Sequence, residues 1–208
     1  MGRGNVLIGQ SGGPTAVINA SLVGVVEAAK LSRKMGRVFG MRFGIEGVLG
    51  DFLLDLSAES SATLKGLRTT PSSALGSSRH KLKDPDFSPI MERLRKYDIR
   101  YLFMIGGNDT MDTVHRITEH AASVGYEMVG VGIPKTVDND LFGVDHTPGY
   151  PSAARYVAMS VQQGGCSRGT CSGWTRSPCS RPSAAAPAGC PPPRRWRSAI
   201  RRTRRTSS

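Results

Sequence analysis

Short apolar segments alternate with longer segments of helical periodicity along most of the chain. The apolar segments are rich in β-branched and aromatic residues and are typical of buried strands: NVLIGQ (5–10), VFGMRFG (38–44), IRYLFMIGG (99–107) and EMVGVGI (127–133). Strands that alternate with helices of ten or more residues form βαβ units. The sequence therefore predicts an α/β fold with a doubly wound, mostly parallel sheet.

The segments of helical periodicity follow these strands. They are the stretch after Gly13, a short one near Ala58–Leu67, and 86–97, 109–125 and 151–163. Proline is well tolerated at the first position of a helix, so the first of these is expected to begin at Pro14.

Charge and cysteine are distributed unevenly. The net charge of the 208 residues is +12, but residues 1–165 carry 18 Lys and Arg against 16 Asp and Glu, while residues 166–208 carry ten Arg, no acidic residue and all four cysteines. No apolar run approaches the ~18 residues of a membrane span. We therefore expect a body that binds neither membranes nor nucleic acid and a cytoplasmic location.

Three glycine-rich or polar loops follow predicted strands: Ser11–Thr15, Gly106–Thr110 and Pro134–Asp140. Ligands of doubly wound sheets bind at the carboxyl ends of the strands. Gly12 and Gly13 would let the backbone approach an anion held by free N–H groups and a helix N-terminus. In the second loop, Asn108 or Asp109 could equally be the N-cap of a helix.

The third loop, PKTVDND, is the most informative of the three. Lys135, Thr136, Asp138 and Asp140 lie within seven residues, after a strand that we expect to be buried. In extended chain Asp138 and Asp140 would point to the same side. One lysine, one threonine and two carboxylates there predict a site for an anionic substrate that bears a hydroxyl group.

Together these segments resemble the phosphofructokinases. The resemblance covers about residues 3–163 and rests on SGGPTAVINA, LGSSR, MIGGNDT, PKTVDND and HTPGYPSAARYVA. It is strongest to the pyrophosphate-dependent branch. It implies transfer of a phosphoryl group from pyrophosphate to the C1 hydroxyl of fructose 6-phosphate with Mg²⁺ as cofactor, in a homo-oligomeric enzyme of glycolysis.

The resemblance also assigns roles to residues. Asp138 would be the general base, Thr136 and Asp138 would meet the C1 hydroxyl, and Asp140 would support the site. The expected catalytic set is Asp138, Lys135, Asp109 and Arg79, where Arg79 neutralises the transferred group; the expected donor-binding set is Gly12, Gly13, Gly107, Asn108 and Thr110. Asn108 stands where many members carry a metal-associated aspartate. Because an amide contributes no charge, direct metal binding there is the weakest of these expectations.

Two replacements indicate the phosphoryl donor. In ATP-using relatives the second loop is similar to GGDG and the third to PGTIDND, whereas this chain has Asp109 and Lys135 in place of glycines. A carboxylate at Asp109 would repel an α-phosphate, and Lys135 would add a cation beside a diphosphate. An ATP-dependent 6-phosphofructokinase is the alternative.

Residues 164–208 depart from the family pattern. They form a low-complexity segment of Arg, Pro, Ser and Ala that could supply no core. We expect a disordered tail that results from a one-base frameshift near Gly165, so that residues 1–163 are a truncated donor-binding domain and the chain is an inactive fragment. The alternative is a nucleic-acid-binding protein that uses this arginine-rich tail.

Overall fold

The computed structural model describes the backbone of residues 2–170 and the side chains of residues 2–163. By its contacts the chain divides into a compact unit that ends at Pro151 and a second unit that begins at Ser152. The predicted domain boundary at residue 163 stays a prediction. The predicted frameshift near Gly165 stays a prediction. The expectation that the tail is disordered from residue 164 is wrong for its first part, because the backbone of residues 164–170 is helical, and the rest of the tail lies outside the described residues.

A five-stranded sheet forms the centre of the first unit. Its strands are β1 (Gly4–Gln10), β2 (Met35–Met41), β3 (Leu53–Asp55), β4 (Ile99–Gly106) and β5 (Val129–Pro134). Their order across the sheet is β3-β2-β1-β4-β5, and all neighbours are parallel except β2 and β3. The predicted α/β fold with a mostly parallel sheet is confirmed, although β3 was not anticipated.

Helices lie between the strands, and one follows the last strand. They are α1 (Ile18–Leu31), α2 (Ile45–Leu49), α3 (Ser61–Leu67), α4 (Phe87–Lys96), α5 (Asn108–Ser123) and α6 (Tyr150–Thr170), with a 3₁₀ turn at Asp84–Asp86 before α4. Among the described helices, none combines the length and the apolar character that crossing a bilayer requires.

Both faces of the sheet are covered by apolar side chains. Along β1, Val6 and Ile8 pack into a cluster with α1 and α3, whereas Leu7 points to the other face, into a cluster with α2, α4 and α5. Leu102 and Met104 of β4 join Leu7 there. Alternate residues of the central strands thus serve opposite cores, as the period of two in a strand requires.

The first helix begins later than predicted. Pro14 is not its first residue: α1 starts at Ile18, and residues 14–17 form a loop and turn. Gly12 has a φ of +74°, so the chain turns sharply directly after β1 instead of entering the helix. The connection after β1 is therefore a longer loop than the position of the proline suggested.

The last strand is more exposed than predicted. β5 pairs with β4 alone and lies at the edge of the described sheet. Val129 and Val131 keep 38% of their surface exposed. The expectation that PKTVDND follows a buried strand is wrong, because an apolar sequence does not reveal whether a strand has one neighbour or two.

The topology creates an opening between β1 and β4. The chain leaves β1 toward the face covered by α1 and leaves β4 toward the face covered by α5. Adjacent strands whose connections leave in opposite directions define a topological switch point, where open α/β sheets bind ligands outside the carboxyl ends of the strands.

Candidate active site

A cleft of about 770 Å³ lies at this switch point. The three loops that follow β1, β4 and β5 converge on it, together with the segment that precedes α4. Every residue for which the sequence predicted a role lines it: Gly12, Gly13, Arg79, Gly107, Asn108, Asp109, Thr110, Lys135, Thr136, Asp138 and Asp140. The structure thus brings together residues that are up to 128 positions apart in the chain.

Gly12 lies against Lys135 on the floor of the cleft. A Cβ atom on Gly12 would lie 3.1 Å from the Nζ atom of Lys135, so both the positive φ and this close approach favour glycine. The sequence predicted a free backbone N–H at Gly12. This prediction is wrong, because the N–H donates to the carbonyl of Ser78 over 3.3 Å. Free N–H groups for an anion therefore have to come from elsewhere in the loops.

Lys135 is a buried cation. Its side chain is 3% exposed, and Nζ donates a hydrogen bond to the carbonyl oxygen of Gly13 over 2.7 Å. Burial lowers the pKa of Lys135, and the neighbouring charge of Arg79 lowers it further, while Asp138 acts in the opposite direction. A desolvated ammonium group at the bottom of a cleft attracts an anion more strongly than one on the surface.

The second loop opens α5 without a side-chain cap. The N-cap is Gly107, so the alternative that Asn108 or Asp109 merely caps the helix is wrong. Asn108 instead donates from Nδ2 to the Oδ2 atom of Asp140 over 3.0 Å. Asp109 is 85% exposed and lies 3.9 Å from the Nζ atom of Lys81. Both side chains are therefore directed to other loops of the cleft.

The third loop is bent rather than extended. Asn139 has a φ of +55°, and the N–H of Asp138 donates to Oγ1 of Thr136 over 3.1 Å. The expectation that Asp138 and Asp140 point to one side of an extended chain is wrong, although both line the cleft. The carboxylate of Asp138 is exposed and accepts no hydrogen bond from the described residues, so it is available to a substrate.

Residues 147–149 hold this loop from behind. Oγ1 of the fully buried Thr147 donates to the carbonyl of Thr136 over 3.0 Å, and the N–H of Thr136 donates to the carbonyl of Pro148 over 3.1 Å. The N–H of Thr147 donates in turn to Oδ1 of Asn139 over 2.9 Å. The backbone that carries Asp138 is thus held by hydrogen bonds, whereas no described residue donates a hydrogen bond to its carboxylate.

A buried polar pair anchors the segment that carries Arg79. Gln10 and Asn19, which are 0% and 1% exposed, are joined by a 2.9 Å hydrogen bond. Asn19 also donates to the carbonyl of Thr70 over 2.9 Å, and Gln10 accepts from the N–H of Leu75 over 2.9 Å. Arg79 itself is exposed in the cleft and makes no hydrogen bond or ion pair with the described residues.

Sequence reasoning missed several residues that line the cleft: Ser11, Ser78, His80, Lys81 and Arg116. Nε2 of His80 lies 2.9 Å from the carboxylate of Asp86. The run RHKLK at 79–83 carries three Lys or Arg residues in five positions, a signal that could have identified a basic wall. Ser11 and Ser78 lie within the segments Ser11–Thr15 and LGSSR that the sequence had marked, but no role was assigned to either residue.

In the part of the chain with described side chains, no group of three His, Cys, Asp or Glu residues is arranged to hold a metal ion. The amide of Asn108 uses its NH₂ group on Asp140, which leaves its oxygen available.

A cleft of this kind defines a class, the α/β proteins that hold phosphate groups at glycine-bearing loops beyond the carboxyl ends of parallel strands. The sequence profile described as Phosphofructokinase matches residues 5–166. The chain belongs to the phosphofructokinase family.

Individual relatives agree with this assignment. The chain is 46% identical over 160 residues to pyrophosphate–fructose 6-phosphate 1-phosphotransferase of Rhodospirillum rubrum. The aligned region covers 77% of this chain and 40% of the relative. The ATP-dependent 6-phosphofructokinase of Actinobacillus pleuropneumoniae is 38% identical over 156 residues, 74% of this chain and 45% of the relative. The chain thus spans less than half the length of these curated relatives.

A solved structure shows the same fold. The crystal structure of the pyrophosphate-dependent phosphofructokinase from Nitrosospira multiformis matches with a TM-score of 0.73 at 43% identity, over 76% of this chain and 40% of that one. The predicted phosphofructokinase fold is confirmed for the matched part.

Proposed function

We propose that residues 5–163 carry the donor site and the hydroxyl-activating loop of a pyrophosphate-dependent 6-phosphofructokinase. The reaction moves a phosphoryl group from pyrophosphate to the C1 hydroxyl of fructose 6-phosphate and gives fructose 1,6-bisphosphate and phosphate. The observation that carries the proposal is the buried Lys135, held 2.7 Å from the Gly13 carbonyl at the base of a cleft that Asp138 also lines.

The donor side suits a small anion with several charges. Lys135 at the base supplies a buried positive charge and Arg79 an exposed one, and Gly12 keeps the space above Lys135 open. Phosphoryl transfer depends mainly on positioning and on neutralising charge in the transition state. In this proposal Lys135 binds the diphosphate and Arg79 neutralises the transferred group.

Two observations favour pyrophosphate over ATP as the donor. Asp109 places an exposed carboxylate in the cleft, where it would repel the additional phosphate of a nucleotide. The pyrophosphate-dependent relative from Rhodospirillum rubrum is also more similar, at 46% identity, than the ATP-dependent one, at 38%. The alternative donor is ATP, so a test of the donor has to compare pyrophosphate with ATP.

The acceptor side needs one base. The unbonded carboxylate of Asp138 would take the proton of the C1 hydroxyl while the C1 oxygen forms a bond to phosphorus. The bond between that phosphorus and the bridging oxygen breaks, and phosphate leaves. Thr136 would contact the same hydroxyl, and Asp140, held by Asn108, would support the loop.

Mg²⁺ belongs to the proposal. Mg²⁺ in phosphoryl-transfer sites binds one or two carboxylates, substrate phosphates and waters, so the site needs no closed protein cage. Asp138, Asp140 and the amide oxygen of Asn108 are oxygen donors of the kind that Mg²⁺ prefers, and they fit this requirement. When bound, Mg²⁺ would neutralise charge on the diphosphate.

The proposal extends to the setting of the enzyme. A cytoplasmic homo-oligomer is supported by the cysteine-free body and by the family, and the remaining contacts to the sugar phosphate are proposed to come from parts of the family fold beyond the matched residues.

A chimera tests the proposed function. Residues 5–163 of this chain would replace the matching segment of the Rhodospirillum rubrum enzyme, and formation of fructose 1,6-bisphosphate would be measured with pyrophosphate or ATP as donor. We expect turnover with pyrophosphate. A folded chimera that turns over with neither donor would contradict the proposal, and one that prefers ATP would support the ATP-dependent alternative.

A further inference from the structure

Ser78 joins the two segments that line the donor side of the cleft. Its carbonyl oxygen accepts hydrogen bonds from the N–H of Gly12 over 3.3 Å and from the hydroxyl of Ser11 over 3.1 Å. It directly precedes Arg79 in the chain. The position of Ser78 therefore determines how the glycine loop and the Arg79 segment are placed relative to each other.

The hydroxyl of Ser78 makes two further hydrogen bonds. It accepts from the N–H of His80 over 3.0 Å and donates to Oε1 of Glu46 over 2.5 Å. Ser78 is 9% exposed, whereas Glu46 lies on the exposed side of α2 and does not line the cleft. Among the described residues, the hydrogen bond to Ser78 is what links the Glu46 carboxylate to the donor side of the cleft.

The turn before α2 packs closely against the segments that contain Gln10 and Ser78. Gly44 has a φ of +59°, and a Cβ atom there would lie 3.1 Å from the carbonyl oxygen of Gln10 and 3.6 Å from the Cβ atom of Ser78. The N–H of Phe43 donates to the carbonyl of Leu75 over 2.9 Å. The turn is therefore packed against both the end of β1 and the segment that leads to Ser78.

We propose that Glu46 is a positioning residue for the phosphoryl donor. By accepting the hydrogen bond of the Ser78 hydroxyl, its carboxylate fixes the backbone that presents Arg79 and the Gly12 loop to the diphosphate. The inference rests on the proposed function, because it assumes that this cleft binds pyrophosphate. It assigns no contact between Glu46 and the substrate.

The alternative role of Glu46 is purely structural or electrostatic. A surface hydrogen bond to a charged group could simply stabilise the fold, and a carboxylate near an anion site could simply weaken anion binding. Replacement by glutamine separates these roles, since the amide oxygen still accepts from Ser78 while the charge is lost.

The test measures the affinity of the full 208-residue chain for inorganic pyrophosphate in the presence of Mg²⁺, by isothermal titration calorimetry. We expect Glu46→Ala to weaken binding about tenfold, in line with a lost hydrogen bond to a charged group. Glu46→Gln should bind within about threefold of the unsubstituted chain. Glu59→Ala, which removes another exposed glutamate, is the matched control and should bind unchanged.

A double-mutant cycle provides the second measurement. Because Glu46 acts through the Ser78 hydroxyl, Glu46→Ala combined with Ser78→Ala should bind about as weakly as Ser78→Ala alone. Circular dichroism of every variant checks that the chain is folded. If Glu46→Ala does not fold, the two single variants Ser78→Ala and Glu46→Gln provide the comparison instead.

Three results would overturn the inference while leaving the proposed function intact: unchanged binding by Glu46→Ala, binding by Glu46→Gln as weak as that of Glu46→Ala, or losses that add in the double variant. Tighter binding by both Glu46 variants would show that its charge acts alone and would also overturn it. Absence of pyrophosphate binding by the unsubstituted chain would overturn the proposed function and this inference with it.

Discussion

The two sides of the cleft differ in how tightly they are held. On the donor side, Lys135 is buried and bonded to Gly13, and the N–H of Gly12 is bonded to Ser78. On the acceptor side, Asp138 is exposed and its carboxylate accepts no hydrogen bond from the described residues. In the proposed function, this difference corresponds to a preorganised anion site beside a base that is exposed to its substrate.

The largest effect is expected from removing the free base. Asp138→Asn in the chimera should lower turnover by about 10²- to 10⁴-fold, because a positioned general base contributes about that much. The Michaelis constant for pyrophosphate should change little. The melting temperature should not change, because the carboxylate accepts no hydrogen bond from the part of the chain that the structure describes. Steady-state kinetics and thermal unfolding measure both.

Asp145→Asn is the control for this variant. Asp145 is exposed, lies near the same loop and does not line the cleft, so its turnover should match that of the unsubstituted chimera. Turnover by Asp138→Asn within a factor of a few of the parent would remove the distinction between the two sides.

Lys135 should increase the affinity for pyrophosphate and lower the free energy of unfolding. Lys135→Met should weaken pyrophosphate binding by about 10- to 100-fold, as expected for loss of a charged hydrogen-bond donor. The free energy of unfolding should not fall, because a desolvated charge is replaced by an apolar chain and the exposed Gly13 carbonyl can bind water instead. Calorimetric titration and urea unfolding provide the two readouts.

Lys65→Met provides the matched control on the exposed part of α3. It should leave both binding and stability unchanged. A Lys135→Met chain that binds pyrophosphate normally, or that unfolds much more readily than the parent, would contradict the description of the donor side as a functional site held at the expense of stability.

The donor preference should respond to the removal of two opposite charges. In the chimera, Asp109→Gly combined with Lys135→Gly restores the glycines of the ATP-using pattern. We expect the ratio of turnover with ATP to turnover with pyrophosphate to rise about tenfold or more, as removal of a like-charge contact costing about 1.4 kcal/mol predicts. If the ratio does not change, Asp109 and Lys135 do not select the donor.

The smallest effect concerns pH. The pKa of Lys135 is lowered in the folded chain, so between that lowered pKa and the unfolded value of 10.5 the unfolded state binds more protons. The free energy of unfolding of the parent relative to Lys135→Met should therefore rise with pH across this window and level off above it. Urea unfolding at a series of alkaline pH values measures the difference, and a flat or falling difference would show that Lys135 is not destabilised by burial.

The sequence predicted which loops line the cleft better than it predicted the geometry of those loops. Glycines and polar residues after apolar segments marked the loops of Gly12, Gly107 and Lys135 correctly, because the carboxyl ends of parallel strands meet at one edge of a sheet. The late start of α1 after Pro14 was not predicted, since the preference of proline for a first helical turn is only a local tendency.

Contacts between distant segments account for most of what the sequence did not reveal. The bond from Ser78 to Glu46 joins residues 32 positions apart, and the bond from Asn108 to Asp140 does the same. Neither hydrogen bond joins residues of one helix or strand, so the periodicity of the sequence does not predict it. The exposure of β5 likewise depends on which strands pair with it and not on its own apolar residues.

The most direct test of the account is a crystal structure of the chain with pyrophosphate and Mg²⁺. We predict a diphosphate in the cleft at the ends of β1 and β4, with an oxygen within hydrogen-bond distance of Lys135 Nζ and Asp138 open to the acceptor side. A diphosphate bound instead at the opposite end of the sheet, in the recess lined by Arg3 and Arg37, would contradict it.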